Sequence, residues 1–351
     1  MNGNLVIALV LSASAVAFSG QQPRVSNTQF NTESASSGLS ATVTRFQRSN
    51  QQLWIGYEVP ALPRSHSSSC GDSNGASSDD GCCSEVQLEG SRESVSDSGQ
   101  KAEPGRVYVL LRLEQGVVTR VRPVNAGCRI NAGGVPFTWL TGVDPEDSVR
   151  YLAQLASSPS AENRVVDGAL ASVAQQAAPA ATAELSKLAA PENPARLREK
   201  AAFWLGAERG HEGLQVLEKL LAAEQDRKLR EKLVFDISIN HDPAALQDLL
   251  TLAKANPDPN VRSQAIFWLG QKAGKKAAAT LTGAIENDPD LQVKKKAVFA
   301  LSQLPKDEAV PQLIHVAQTN KDPVVRKEAF FWLGQSGDPR ALTFMESVLK
   351  Q

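Results

Sequence analysis

VRKEAFFWLGQSGDPRAL, residues 325–342, settles how most of the chain folds, because its first half returns upstream at one fixed offset. VKKKAVFALS begins at Val293, VRSQAIFWLG at Val261, LREKLVFDIS at Leu229 and LREKAAFWLG at Leu197, each 32 residues before the next. A fainter copy, VVDGALASVA, begins at Val165, so the spacing predicts six units. Self-similarity at such a period is the mark of a repeat architecture.

Each unit divides into two amphipathic helices. In the first, Leu197, Ala201 and Leu205 share a stripe, as do Val261, Ala265 and Leu269, and again Val325, Ala329 and Leu333. In the second, Leu217, Leu249, Leu281, Leu313 and Met345 recur in step, beside Leu220, Leu252, Ala284, Val316 and Val348. One helix pair cannot bury two such stripes, so successive pairs must stack, with the second helices expected along a concave face. Asp226, Asp258, Asp290 and Asp322 each stand four residues before a base, Arg230, Arg262, Lys294 and Arg326. The acid suits an N-cap, and the base, one turn inside, should reach the Asp of a neighbouring repeat to form a ladder.

The pattern V-R-x-x-A-x-x-x-L-G followed by Gly-Asp-Pro-Arg-Ala-Leu, here Val325 to Leu342, resembles the HEAT-like repeats first named from phycobilisome lyases, over residues 165–351. The resemblance implies a mainly α fold, an α-solenoid of HEAT-type helix pairs. It leaves function open, since the family includes scaffolds, adaptors, bilin lyases and a DNA-glycosylase branch.

Upstream, residues 1–20 read as a signal peptide: the first 23 residues carry no charged side chain, and an apolar run from Leu5 leads into Ala15-Val16-Ala17. An uncleaved membrane anchor is the alternative, but the apolar core from Leu5 to Phe18 is shorter than the roughly 20 residues that span a bilayer, and no stable membrane span is expected once the signal is cleaved. Residues 21–145 form a small β-rich region, with strands expected at Ala41–Phe46, Leu53–Val59, Val107–Leu113 and Val117–Val121, the last two as a hairpin across Gln115-Gly116. A loop rich in Ser, Gly and Asp occupies 65–100, too polar to build a core. The solenoid takes 146–351. Together with the signal, this arrangement resembles exported bacterial envelope proteins and implies a periplasmic or secreted chain.

The four cysteines, Cys70, Cys82, Cys83 and Cys128, precede the repeats, and an even count behind a signal suggests two disulfides. Neighbours in sequence pair poorly because a disulfide wants its Cα atoms about 5.5 Å apart, so Cys82 and Cys83 should reach separately to Cys70 and Cys128. A zinc site from these thiols and His66 lacks any C-x-x-C spacing, and no metal or other cofactor is expected.

Catalytic signals are sparse. Gly71-Asp72-Ser73-Asn74-Gly75 matches a nucleophile elbow, but without the strand before it or the helix after it. His211-Glu212 lacks the second His of a zinc motif, and neither His241 nor His315 has a partner at ligand spacing. The chain is expected not to be an enzyme. Lys+Arg of 37 against Asp+Glu of 38 gives no field for nucleic acid, although Lys272, Lys275, Lys276 and Lys294 to Lys296 offer a local patch. A bilin-lyase-like enzyme and a nucleic-acid-binding protein are the alternatives to a scaffold that binds a protein or peptide.

The aromatic columns are the most informative. Phe203, Phe235, Phe267, Phe299 and Phe331 recur unchanged, as packing between neighbouring repeats demands. The next column reads Trp204, Asp236, Trp268, Ala300, Trp332, a mixture that suits a partly exposed site; Trp is favoured in contact surfaces, and the alternative is that each Trp plugs a groove beside an Ala or Asp neighbour. Phe344 occupies a column that reads Val216, Asp248, Thr280 and Gln312 earlier, so it is expected to be exposed. Trp204, Trp268, Trp332 and Phe344 are the candidate partner-binding residues, and the last repeat is a candidate for self-association. The cysteine reading makes a simple prediction: the denatured, unreduced exported chain should show no reactive thiol, whereas four reactive thiols would refute both bridges.

Overall fold

The computed structural model describes residues 22–63, 85–90 and 103–350. The signal segment, His66, residues 71–75, Cys70, Cys82, Cys83 and most of the 65–100 loop lie outside the described residues. Strands β1 (Val25–Ser26), β2 (Phe30–Ser34), β3 (Leu53–Pro60), β4 (Val86–Gln87), β5 (Arg106–Glu114), β6 (Val117–Asn125), β7 (Ile130–Asn131) and β8 (Phe137–Thr141) make two sheets. The larger has the order β2-β8-β3-β5-β6, with β8 parallel to both neighbours and β3-β5-β6 antiparallel; the smaller is β1-β7-β4. The expected hairpin joins β5 to β6. Gln115 and Gly116 carry φ of 49° and 72°, the two positive values of the turn that matches strand twist.

The segment Ala41–Phe46, expected as a strand, is instead part of helix α1 (Leu39–Arg48). Its short alternation of apolar and polar residues also satisfies helical spacing: Leu39, Thr42 and Val43 are buried, and Phe46 packs on the core one turn later. The loop likewise contributes more than its composition suggested. Val86 and Leu88 are buried with Trp54, Tyr108, Phe137, Cys128 and Ile130 in a separate core between the sheets, and Glu89 accepts hydrogen bonds from Trp54 Nε1 and Arg112 Nε, both at 2.7 Å.

Helix α2 (Pro145–Ser157) starts where Asp144 caps it, accepting from the Asp147 amide. Then come six helix pairs: α3 (Asn163–Gln175) with α4 (Ala180–Leu188), α5 (Ala195–Glu208) with α6 (Gly210–Ala223), α7 (Arg227–Ile239) with α8 (Ala244–Ala255), α9 (Pro259–Lys272) with α10 (Ala278–Asn287), α11 (Leu291–Ser302) with α12 (Lys306–Thr319), and α13 (Pro323–Gln335) with α14 (Pro339–Leu349). The large sheet closes the front of this stack. The Val121 carbonyl of β6 lies where a Cβ on Gly168 of α3 would stand, the Leu62 amide donates to the Gln175 carbonyl, and sheet and repeats share one continuous hydrophobic core.

All four aspartates cap as expected: Asp226 accepts from the Leu229 amide, Asp258 from Asn260, Asp290 from Gln292 and Val293, and Asp322 from Val324. The ladder runs differently. Arg230 reaches Asp258 of the next repeat at 3.0 Å, but Arg262 makes a two-pronged bond to Asp288, Lys294 donates to the Glu286 carbonyl, and Arg326 donates to the carbonyls of Asn320 and Lys321. A second periodic column explains this. Glu224, Asn256, Asp288 and Asn320 each accept from the amide two residues on, and where that residue is acidic it captures the base of the previous repeat, as Arg198 does with Glu224.

The first helices α5, α7, α9, α11 and α13 lie side by side at close range, while the second helices stand apart with clefts between them. Two glycines set the spacing. A Cβ at Gly206 would stand 2.3 Å from the Asp236 carbonyl oxygen, and one at Gly270 would stand 2.9 Å from Ala300 Cα. Gly270→Leu should therefore destabilise the chain by about 1–3 kcal/mol through overpacking. Gly283→Ala on α10, where a Cβ meets open space, should stabilise it by about 0.5–1 kcal/mol. Urea unfolding of the two variants reads both signs.

Candidate interaction surface

The helix periodicity brings the Phe and Trp columns to one edge of the first-helix layer, where they form a continuous row. In order, Trp204, Phe203, Phe235, Trp268, Phe267, Phe299, Trp332 and Phe331 each touch the next ring, with centroids between 4.9 and 6.5 Å apart. Rings of adjacent repeats do pack together, as the unchanged Phe column required. The row is nonetheless open to solvent: Phe203 is 38% and Phe331 54% exposed, and the members between them are partly buried.

The contacts alternate with a period of two repeats. Where Gly206 and Gly270 admit the next helix closely, the phenylalanines stack nearly parallel, Phe203 on Phe235 at 18° and Phe267 on Phe299 at 6°. At the intervening junctions Ser238 and Ser302 stand in the glycine column, and the following Trp fills the wider gap, Trp268 tilted at 46° on Phe235 and Trp332 at 59° on Phe299. The mixed Trp/Asp/Ala column is thus resolved. Large residues serve wide junctions, and Asp236 and Ala300, both buried, serve narrow ones. Lys296 Nζ sits over Phe267 and Phe299, 5.4 and 5.7 Å from their centroids, giving the middle of the row a cation.

Phe344 does not join the row. It is only 8% exposed and stacks on Phe330 at 5.5 Å, so the column that holds Asp248 or Gln312 elsewhere is filled here by a ring turned into the core. Among the histidines, His211 pairs with Asp242 at 3.3 Å and His315 faces solvent beside Thr319. Three lysines of the local patch have separate engagements: Lys272 donates to the Ser238 carbonyl, Lys294 to the Glu286 carbonyl, and Lys295 lies 3.9 Å from Glu328. Cys128 is buried and is not a free cysteine. Among the described residues no group of three or more His, Cys, Asp or Glu could hold a metal, and no helix is long and apolar enough to cross a membrane.

On the second-helix side a cleft of about 510 Å³ opens between α8 and α10, where Ala279, Gly283 and Ala284 leave room above buried Thr280. A smaller one, about 220 Å³, lies between α6 and α8 and contains Glu218 and Asp248. Burial, and then the neighbouring Glu218, raise the Asp248 carboxyl to about 6. Burial also raises Glu208 to about 7 and Asp236 to about 8, the latter against the pull of Lys232. A feature the sequence reading passed over is Arg209, which is buried and donates to Thr182 Oγ1 and to the carbonyls of Ala174 and Gln176, tying the second repeat to the end of α3. The equivalent positions hold His, Ala, Pro and Gly, so no periodic signal marks it.

These features define a class, an α-solenoid closed at one end by a sheet and bearing an aromatic row. The repeats themselves are HEAT repeats: the model of that family, described as HEAT repeats, matches residues 214–302, 246–331 and 284–351. Among solved structures the chain is similar to human deoxyhypusine hydroxylase in complex with glycerol, at 20% identity over 58% of this chain and 90% of that one, with a TM-score of 0.31. It is similar also to the complex of CpcE and CpcF of phycocyanin lyase from Nostoc sp. PCC7120, at 22% identity over 44% of this chain and 98% of that one, TM-score 0.33. A third is Kap121p bound to Ste12p, at 18% identity over 59% and 23%, TM-score 0.37. No curated protein matches the sequence.

The buried Asp236 carboxyl has a definite pH signature. Its folded pKa, about 8, lies above the ordinary carboxylate value, so between the two the folded chain holds a proton that the unfolded chain releases. This contribution to stability is complete below about pH 4 and is lost as pH rises towards 8. Asp236→Asn should flatten that part of the stability profile and raise the unfolding midpoint at pH 9 relative to the parent chain, as thermal unfolding across the range will show.

Proposed function

We infer that the chain is a non-catalytic interaction scaffold that holds a protein or peptide partner along its aromatic row. The observation that carries this is the row itself: eight rings in unbroken contact across five first helices, left partly open to solvent on a rigid, closely packed layer. Burying rings at a surface is unfavourable to leave undone, and regularly spaced rings on a stiff support give a partner large contact area with little loss of side-chain freedom. Lys296 between two of the rings adds a cation that favours an acidic or carbonyl-rich segment. The carboxyls held above their usual range owe this first to burial.

The leader-like first 20 residues and the absence of a free thiol at Cys128 support an exported chain, periplasmic or secreted, with disulfides to the cysteines upstream. The row is the part to perturb. Phe203→Ser, Phe267→Ser and Phe331→Ser combined should leave the core intact and weaken retention of the partner from envelope extracts by at least about tenfold. A folded triple variant that retains the same partner equally well would refute the row as the binding surface.

A further inference from the structure

Helix α10 breaks the repeat pattern at three positions that line one cleft. Where the other second helices carry Gln215, Gln247, Pro311 and Thr343, it has Ala279; where they carry Lys219, Thr251, His315 and Ser347, it has Gly283; where they carry Leu220, Leu252, Val316 and Val348, it has Ala284. These truncations open the cleft of about 510 Å³ between α8 and α10, and a Cβ on Gly283 would meet nothing within 4 Å. Two residues of its lining lack partners that their counterparts have. Thr280 is only 5% exposed, yet its hydroxyl makes no hydrogen bond among the described residues, whereas Thr251, Thr282 and Thr343 each donate to the carbonyl one turn back. Ala253, only 2% exposed, keeps a carbonyl without a donor among the described residues, because Pro257 stands four residues on and the Asn256 amide goes to Leu252. In the next repeat Pro289 leaves the same deficit at Ile285, and there Asn320 Nδ2 meets it at 3.4 Å. The residue placed to serve Ala253 is Asp288, which has no side-chain donor to offer and is held by Arg262.

We propose that this cleft binds an uncharged peptide segment through the segment's main chain. A peptide carries both groups that the lining lacks: an N–H to donate to the Ala253 carbonyl and a carbonyl to accept from the Thr280 hydroxyl. Buried polar groups without partners cost free energy, so a ligand that satisfies them gains more than the burial of its apolar area. The walls favour main chain over the tip of a side chain. Ala279, Gly283 and Ala284 have no atoms beyond Cβ to hold a strand away, the usual condition for close approach of a backbone. Arg262 and Asp288 neutralise each other in their two-pronged bond, which leaves the exposed Lys254 as the unpaired charge among the described lining residues. The buried part of the cleft therefore offers no partner to a charged group, and its volume lies in the ordinary range of ligand pockets.

The cleft lies between second helices and the aromatic row on the first, so the two sites are tested apart. The probes are a pool of blocked, uncharged hexapeptides of Ala, Gly, Ser and Val, and the same pool with every backbone nitrogen methylated. Each is titrated into the isotope-labelled full chain while the backbone amide resonances are followed. The plain pool should shift Thr280, Gly283 and Ala284 saturably, and the methylated pool should bind at least about tenfold more weakly. Thr280→Val, which removes a hydroxyl that has no partner in the free chain, should weaken the plain pool by about tenfold without lowering the thermal midpoint. Gly283→Leu, which grows into open space, should abolish binding, whereas Phe203→Ser should leave it unchanged. No saturable shift at the cleft, equal affinity for the two pools, or a response unaltered in both folded cleft variants would each overturn the proposal. Saturation by N-methylacetamide but not by the hexapeptides would overturn it too, by assigning the cleft to a small amide.

Discussion

The approach of one first helix to the next governs everything else in this array. At Gly206 and Gly270 the missing Cβ lets the backbone of the following helix come within van der Waals contact, and no side chain larger than hydrogen fits without moving main chain. Interiors packed to this density do not adjust continuously. The spacing fixed at these two points therefore propagates to both layers: the first helices are drawn together, and the second helices, joined to them by short loops, are left apart with clefts between them.

The alternation of narrow and wide junctions then accounts for the surface. At narrow junctions the Phe rings face each other almost in parallel, and at wide ones a Trp leans into the gap and bridges to the Phe before it. The outcome is a row of rings with no break, held by backbone spacing rather than by its own contacts. Buried Asp236 belongs to the same logic. It takes the place of a Trp that a narrow junction cannot admit, and its carboxyl loses water as a result, which is why its proton is held so firmly.

How much of this the sequence disclosed depended on whether a feature recurred. The six helix pairs, their N-caps and the Phe–Phe contacts were legible because a 32-residue period repeats the same environment, and one unit can be checked against five others. Features with a period of two repeats were harder: the Gly206–Gly270–Gly334 series is visible, but the alternate members of the same column, Ser238 and Ser302, make sense only once the junction widths are seen. Ala41–Phe46 was misread because six residues satisfy both strand and helix spacing. Phe344 was misplaced for a different reason. A column that is polar in earlier repeats says nothing about which way a ring will turn when Phe330 offers it a stacking partner. Arg209 has no periodic counterpart at all, so only its three buried acceptors reveal it.

The central claim is that the row is a partly open binding surface on a rigid layer rather than a seam of core residues. Hydroxyl-radical footprinting, read residue by residue on the free chain and on the chain with its captured partner, tests it most directly. The account predicts that Phe203, Phe267 and Phe331 are modified in the free chain and protected in the complex, while Leu205, Leu269 and Leu333 remain unmodified in both. Rings that are unreactive in the free chain, or equally reactive with and without partner, would contradict it.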